Sequence, residues 1–214
     1  MAGISRQPVL QSRVMKVQRR AVLERLRNHL TEDDIVVAAL AGTTADTYQV
    51  VDRPENLYLV GLGMVTQVSL GLALTLPESG VVSLDTDGSL LLAPSILSVA
   101  AASGAENLRI IVFDNEQLFG SRGGAPSQTA AGADLTAMAK AAGIRNADTV
   151  ADEGGVASAL EWLFSQPGPA LLTAKIELAF RAEGPSMDGQ ENKYRLVRRI
   201  EAIRGRAILA PPKP

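Results

Sequence analysis

Two clusters of oxygen-bearing side chains stand out as able to do chemistry in this 214-residue chain, and both lie in the stretch 81–129. The first, Thr86-Asp87-Gly88-Ser89, follows the apolar run Val81-Val82-Ser83-Leu84. The second, Asp114-Asn115-Glu116-Gln117, follows the apolar run from Leu108 to Phe113, with Asn115 placed 28 residues after Asp87. Gly88 lacks the Cβ that would block a close approach to the backbone, and Ser89 offers a hydroxyl and an N–H at the start of a helix. One carboxylate, one amide oxygen and a nearby carbonyl form part of an all-oxygen shell for a hard cation, which water and a diphosphate group would complete. Taken singly, Asp87 reads better as a helix cap and Asp114-Asn115 as a turn. Their occurrence together, each at the end of an apolar run, favours a site.

Other chemistries find less support. There are no cysteines, which removes disulfides, thiolate metal sites and a cysteine nucleophile. The single histidine, His29, has no second histidine to make a metal pair, and serine-hydrolase chemistry with a histidine base is improbable. The turn Ala41-Gly42-Thr43-Thr44-Ala45-Asp46 presents backbone N–H groups that suit an anion, a weak motif by itself. Gly61-Leu62-Gly63, opening a helix and followed by Val81 to Leu84 and then Asp85, imitates a dinucleotide fingerprint. Thr66 stands where its third glycine belongs, so an NAD-binding oxidoreductase domain is kept only as an alternative.

The elements that must hold these residues follow from periodicity. Ser12 to Leu30 has apolar residues at near-helical spacing between Arg and Lys, and predicts an amphipathic entry helix. Strands are expected at Ile35–Leu40, Leu57–Val60, Val81–Leu84, Leu108–Phe113 and Ala170–Leu178. Helices are expected after Gly42, at Gln67–Leu76, Pro94–Ser103, Ala133–Ala142, Gly155–Phe164 and Gln190–Ile203. Alternation of this kind predicts an α/β fold, a mainly parallel sheet with helices on both faces. In such sheets ligands bind beyond the carboxyl ends of the strands, where the turns after Leu40, Val60, Leu84 and Phe113 fall. The chain divides on this reading into a basic helix (1–30), an α/β domain (31–185) and a C-terminal helix and tail (186–214).

Charge and hydropathy narrow the partners. Residues 1–30 hold seven Lys or Arg against one acid, residues 181–214 eight against four, and the middle six against eighteen. An acidic centre is a poor place for nucleic acid and suits an anionic cofactor only with a divalent metal between them. The basic ends could dock an acidic partner, though a solvated helix face explains them as simply. No apolar run reaches the roughly 18–20 residues of a membrane span, and the first residues lack the apolar core of a secretory signal, so a cytoplasmic protein is expected.

Thr86-Asp87-Gly88-Ser89 and Asp114-Asn115 resemble the Gly-Asp-Gly and Asn-Asn signature of thiamine diphosphate enzymes. The likeness is closest to the small cofactor-binding subunit or domain of sulfopyruvate and phosphonopyruvate decarboxylases. Their Gly-Ser-Met-Gly-Leu before a Gly-Leu-Gly-Leu-Ala-Leu helix is similar to Gly61-Leu62-Gly63-Met64 before Ser69-Leu70-Gly71-Leu72-Ala73-Leu74. Their Asp-Asn-Gly-x-Tyr-Gly-Ser-Thr-Gly-Gly-x-Pro-Thr is similar to the run from Asp114 to Ser127. The resemblance covers about Ile35 to Phe180 and implies the diphosphate-binding type of the thiamine diphosphate fold.

That resemblance implies Asp87, Asn115 and the backbone oxygen of Gln117 as magnesium ligands. It implies Gly88 and Ser89 as diphosphate contacts by N–H and hydroxyl, Gly42 and Thr43 at its far end, and Leu62 as the wedge that bends the cofactor. Gly61, Gly63, Leu118 and Phe119 would complete the cofactor's surroundings. The implied reaction is decarboxylation of a 2-oxo acid to an aldehyde and carbon dioxide, with the cofactor as electron sink. The activating glutamate would come from a pyrimidine-binding partner subunit, in a hetero-oligomer built on dimers. Two departures bear on the substrate: Thr86 replaces the first glycine, and the family's Thr-Gly-Lys-Thr-Ser-Arg-Glu turn appears here as Ala41 to Thr47, without its charged pattern. Arg122 is an extra cation in the following loop. A non-catalytic or regulatory subunit with a degenerate cofactor site is the remaining alternative.

Overall fold

The computed structural model describes residues 16–118, 124–178, 183–186 and 188–209. The chain runs α1 (Arg19–Leu26), β1 (Ile35–Ala39), α2 (Gly42–Val51), β2 (Leu57–Val60), α3 (Val65–Thr75), β3 (Val81–Thr86) and the short α4 (Asp87–Leu90). It continues with α5 (Ile96–Ser103), β4 (Leu108–Asp114), α6 (Leu135–Ala141), β5 (Asn146–Val150), α7 (Val156–Ser165), β6 (Ala170–Lys175) and α8 (Gly189–Arg204). The six strands form one sheet in the order β2-β1-β3-β4-β6-β5, every pairing parallel.

Alternating side chains divide between two faces. Ile35, Val37 and Ala39 of β1 join the core under α3, α5 and α6, while Val36 and Ala38 join the core under α1 and α7. Central strands covered on both faces need continuous apolar runs, which is why β1 reads Ile-Val-Val-Ala-Ala. The β3–β4 register pairs Thr86 with Phe113, so Asp87 and Asp114 emerge side by side.

Three expectations are corrected. Helix α1 begins at Arg19, preceded by Val17, which bridges Ile176 at the end of β6; the expected start from Ser12 to Met15 lies outside the described residues. Leu26 leads into a short 3-10 turn, Arg27–His29, and His29 there stacks on Phe164 with ring centroids 5.0 Å apart. Strand β5 has no counterpart among the expected strands. Its sequence, Asn-Ala-Asp-Thr-Val, is polar because it forms the sheet edge and leaves Asp148 and Thr149 exposed.

Helix α8 covers the opposite edge. The Asn192 side chain accepts from Tyr58 N (3.0 Å) and donates to Tyr58 O (2.6 Å), in place of a neighbouring strand on β2. Its arginines reach acids of the same chain: Arg195 Nη2 lies 3.0 Å from Asp52 and Arg199 Nε 2.7 Å from Glu55. Part of the basic surplus of the C-terminal segment is therefore answered within the chain. Asn192→Ala is expected to destabilise the fold by about 1–3 kcal/mol, because both Tyr58 backbone groups lose their partner. Urea unfolding checks this, and an unchanged midpoint would show that water replaces the amide without loss.

Candidate functional site

The chain passes from β1 to β2 on one side and then crosses back to β3 on the other side of β1. The carboxyl ends of β1 and β3 therefore frame a switch point, where doubly wound sheets leave a crevice. Helix α2 starts there at Gly42, after Ala41 in a backbone conformation rare for a non-glycine residue (φ 65°, ψ −130°). Helix α4 starts beside it at Asp87, capped by Thr86 Oγ1, which accepts from Ser89 N at 3.3 Å. That cap uses an extended Thr86 (φ −127°), so threonine fits where the family motif has glycine.

Asp87 is fully buried. Its Oδ2 accepts from Ser127 Oγ at 2.5 Å and from Thr129 Oγ1 at 3.1 Å, whereas Oδ1 is buried without a partner. Burial pushes its carboxyl above the ordinary range; the Ser127 bond opposes this and the neighbouring Asp114 charge adds to it. Asp114 is also fully buried, but Lys175 Nζ lies 2.6 Å from its Oδ2, and Thr129 Oγ1 lies 2.8 Å from its Oδ1. A buried carboxylate oxygen with nothing to bind is expensive, and a hard cation is the kind of partner it lacks.

The loop after β4 folds back on itself to deliver the hydroxyls. Asn115 Oδ1 accepts from Gln117 N (2.9 Å), Leu118 N donates to Ala125 O (2.8 Å), and Ser127 N donates to Glu116 O (3.0 Å). Asn115 and Gln117 are half-buried beside Asp87's strand end, and Glu116 between them has φ 63°. Leu118 lies against Gly88, so a Cβ there would displace the end of the leucine side chain. Phe119 and Arg122 lie outside the described residues. Among the described residues no group of three or more His, Cys, Asp or Glu could hold a metal. A cation here would thus rest on one carboxylate, amide or carbonyl oxygens, and its anionic partner.

Ser89 lies at the junction of two turns. It is fully buried, and its Oγ accepts from Gly63 N at 3.0 Å. That hydroxyl ties the Gly61-Leu62-Gly63 turn to the Asp87 turn. Leu62 is half-buried on that turn, and Gly63 takes φ 73° against Leu92. Gly42 is half-buried and Thr43 buried at the start of α2.

The dinucleotide reading fails on the same geometry. Asp85 is fully buried and accepts from Thr66 Oγ1 (2.7 Å) and Thr86 N (2.9 Å), so it cannot hold a ribose. Thr66, in the place of the third glycine, is needed for that bond. The Gly61–Gly63 turn also follows the edge strand β2 rather than a central strand. Ser127 and Thr129, two hydroxyls within the same stretch, escape the sequence analysis as site residues; Lys175 carries no signal, being distant in sequence.

Such a sheet, with its buried carboxylate and amide turn at the carboxyl ends of adjacent central strands, defines a cofactor-binding α/β domain. Residues 37–174 match the family described as "Thiamine pyrophosphate enzyme, C-terminal TPP binding domain". The chain belongs to that family. It is 37% identical to a sulfopyruvate decarboxylase of Methanosarcina acetivorans, over 60% of this chain and 33% of that one. It is 34% identical to a phosphonopyruvate decarboxylase of Streptomyces viridochromogenes, over 79% of this chain and 41% of that one. It is 38% identical to a sulfopyruvate decarboxylase subunit beta of Methanothermobacter thermautotrophicus, over 47% and 54%. The chain thus spans one third to about half the length of these relatives. Its fold is that of benzoylformate decarboxylase from Polynucleobacter necessarius, with TM-score 0.68 and 21% identity over 79% of this chain and 35% of that one.

Proposed function

We propose that the chain is the cofactor-binding part of a thiamine diphosphate- and magnesium-dependent decarboxylase of a 2-oxo acid, completed by a pyrimidine-binding partner subunit. The observation that carries this reading is the unpartnered, buried Asp87 Oδ1 beside the Asn115–Gln117 turn. When bound, the cofactor supplies an electron sink that lets carbon dioxide leave.

The chain's own residues then have separable tasks. Asp87 Oδ1, the Asn115 amide oxygen and the Gln117 carbonyl hold magnesium. Backbone N–H groups of Gly88 and of the first turn of α2, at Gly42 and Thr43, face the diphosphate. Ser127 and Thr129 fix Asp87 through Oδ2, which leaves Oδ1 for the cation. Leu62, on a turn tied down through Gly63 and Ser89, acts as the wedge beneath the cofactor. Asp87 and its neighbour Asp114 would both be stabilised by the charge of a cation held at this site.

A partner subunit is supported by relatives named subunit beta, such as that of Methanocaldococcus jannaschii, which is 29% identical over 62% of this chain. It is supported as well by exposed apolar side chains near the site and along the helices beside it: Met64 before α3, Leu74 on α3, Leu92 and Val99. The substrate is a 2-oxo acid whose second anionic group, if it has one, is not met by a cation of the 43–47 turn, since that turn has none. No helix among the described residues is long and apolar enough to cross a membrane, and a cytoplasmic hetero-oligomer fits this reading.

Titration calorimetry of the chain with thiamine diphosphate, with and without magnesium, tests the cofactor assignment: saturable, magnesium-dependent binding is expected. No binding, with or without partner, would favour a degenerate regulatory subunit. Decarboxylation is expected only once the pyrimidine-binding subunit is added, and turnover by the purified chain alone would rule out a shared active site.

A further inference from the structure

The segment 16–20 precedes the family-matched residues 37–174, yet it touches the turns that build the site. Lys16 Nζ lies 2.7 Å from Glu116 Oε2. Val17 N donates to Lys175 O, and Glu177 N donates to Val17 O, each at 2.9 Å, which lays the segment alongside the end of β6. Arg19, only 6% exposed, places Nη1 2.8 Å from Asp46 Oδ2 and its Cζ 5.6 Å from the Phe113 ring centroid. The same guanidinium rests against Gly42, where a Cβ would meet Nη1 at 2.8 Å.

We infer that Lys16 and Arg19 are positioning residues of the cofactor site, and that the segment joining them is a strap holding the Asn115–Gln117 turn at a fixed place relative to the first turn of α2. The inference rests on the cofactor reading above and deepens it. Those two turns are the ones that would take the metal and the diphosphate, so their relative placement decides whether a metal diphosphate fits both at once.

Glu116 shows why the turn needs outside support. A non-glycine residue at φ 63° persists where its surroundings over-determine it. Two restraints are local: its N–H donates to Asp114 Oδ1 (3.1 Å), and its carbonyl accepts from Ser127 N (3.0 Å). Lys16 supplies the restraint that reaches in from a different part of the chain. Both members of that ion pair are about 30% exposed, so it contributes little to global stability. Its effect belongs to the geometry of the turn instead. At the other end Arg19 is buried and pairs Asp46 within α2, anchoring the strap where movement is least tolerated.

The test uses the full chain and four proteins: wild type, Lys16→Glu, Glu116→Lys, and the charge-swapped double variant. For each, calorimetry at fixed thiamine diphosphate gives the magnesium concentration at half-saturation, and thermal melting is followed in parallel. Each single variant is expected to need about tenfold more magnesium, as when a group supporting a metal ligand is removed. The double variant is expected to return to nearly the wild-type value, with melting temperatures alike in all four. Single variants that bind like the wild type would overturn the strap. So would a swap that restores nothing, or a loss of binding that merely follows a loss of melting temperature. No binding by the wild type would overturn the cofactor reading and the strap with it, an outcome distinct from the others.

Discussion

Asp87→Asn is expected to abolish magnesium-dependent binding of thiamine diphosphate while leaving the cofactor-free fold at least as stable as the wild type. The two halves of this result come from the two carboxylate oxygens. The amide oxygen of the substituted side chain can keep the bonds that Ser127 and Thr129 now give to Asp87 Oδ2. Its amide nitrogen then takes the place of the unpartnered oxygen and points a donor where a cation would sit. Loss of groups that merely support metal ligands costs about 10–100-fold in affinity, so loss of the carboxylate itself should reach at least the upper end. Stability moves the other way because a buried charge beside Asp114 is exchanged for a neutral group. The pH dependence follows in sign. The folded-state carboxyl of Asp87 is raised, so the folded chain holds a proton that the unfolded chain has released. Stability from this group is therefore fully present below the ordinary aspartate value of about 3.9 and is lost as pH rises from there through the raised folded value. Urea midpoints of the cofactor-free wild type should fall over that window, and the variant should fall less. Asp85, raised chiefly by burial, keeps a slope of the same sign in both proteins. Retained metal-dependent binding, or a variant clearly less stable than the wild type, would contradict the assignment.

The reach of the sequence ends where direction and distance begin. Strands β1, β3, β4 and β6 are legible because burial on both faces leaves each of them a mainly apolar run. Strand β5 is not, since an edge strand with exposed Asp148 and Thr149 carries no such mark. Asp87 and Asn115 can be found as residue types at strand ends, and the register of β3 with β4 brings those ends together. Ser89 is found as a type, but the bond its Oγ accepts from Gly63 N is not, because composition says nothing about which way a side chain turns. Ser127 and Thr129 are within reach, as a hydroxyl pair closing the same stretch. Lys16, Arg19 and Lys175 are out of reach, because they arrive from segments remote in sequence and only the fold juxtaposes them with Glu116, Asp46 and Asp114.

Arg19→Met should destabilise the chain by about 3–5 kcal/mol, the usual consequence of leaving one member of a buried ion pair without the other. Asp46 is 6% exposed and Arg19 Nη1 is its ion-pair partner, so the single substitution strands a carboxylate at the start of α2. Burial lowers the Arg19 pKa and Asp46 opposes that shift, yet a guanidinium remains charged throughout the working pH range. The pair is thus a matter of fixed charge on its arginine side. Replacing both partners, as Arg19→Met with Asp46→Leu, removes the stranded charge and should recover most of the stability in urea unfolding. The double variant also separates two roles for the pair. The family motif places charged side chains in the 43–47 turn, and here a single acid, Asp46, sits there with its cation supplied from α1. If that pair only held the fold, a restabilised double variant would bind magnesium and thiamine diphosphate as the wild type does. If it places the first turn of α2 for the diphosphate, the double variant will be stable and bind more weakly, the outcome expected from the contact of Arg19 with Gly42.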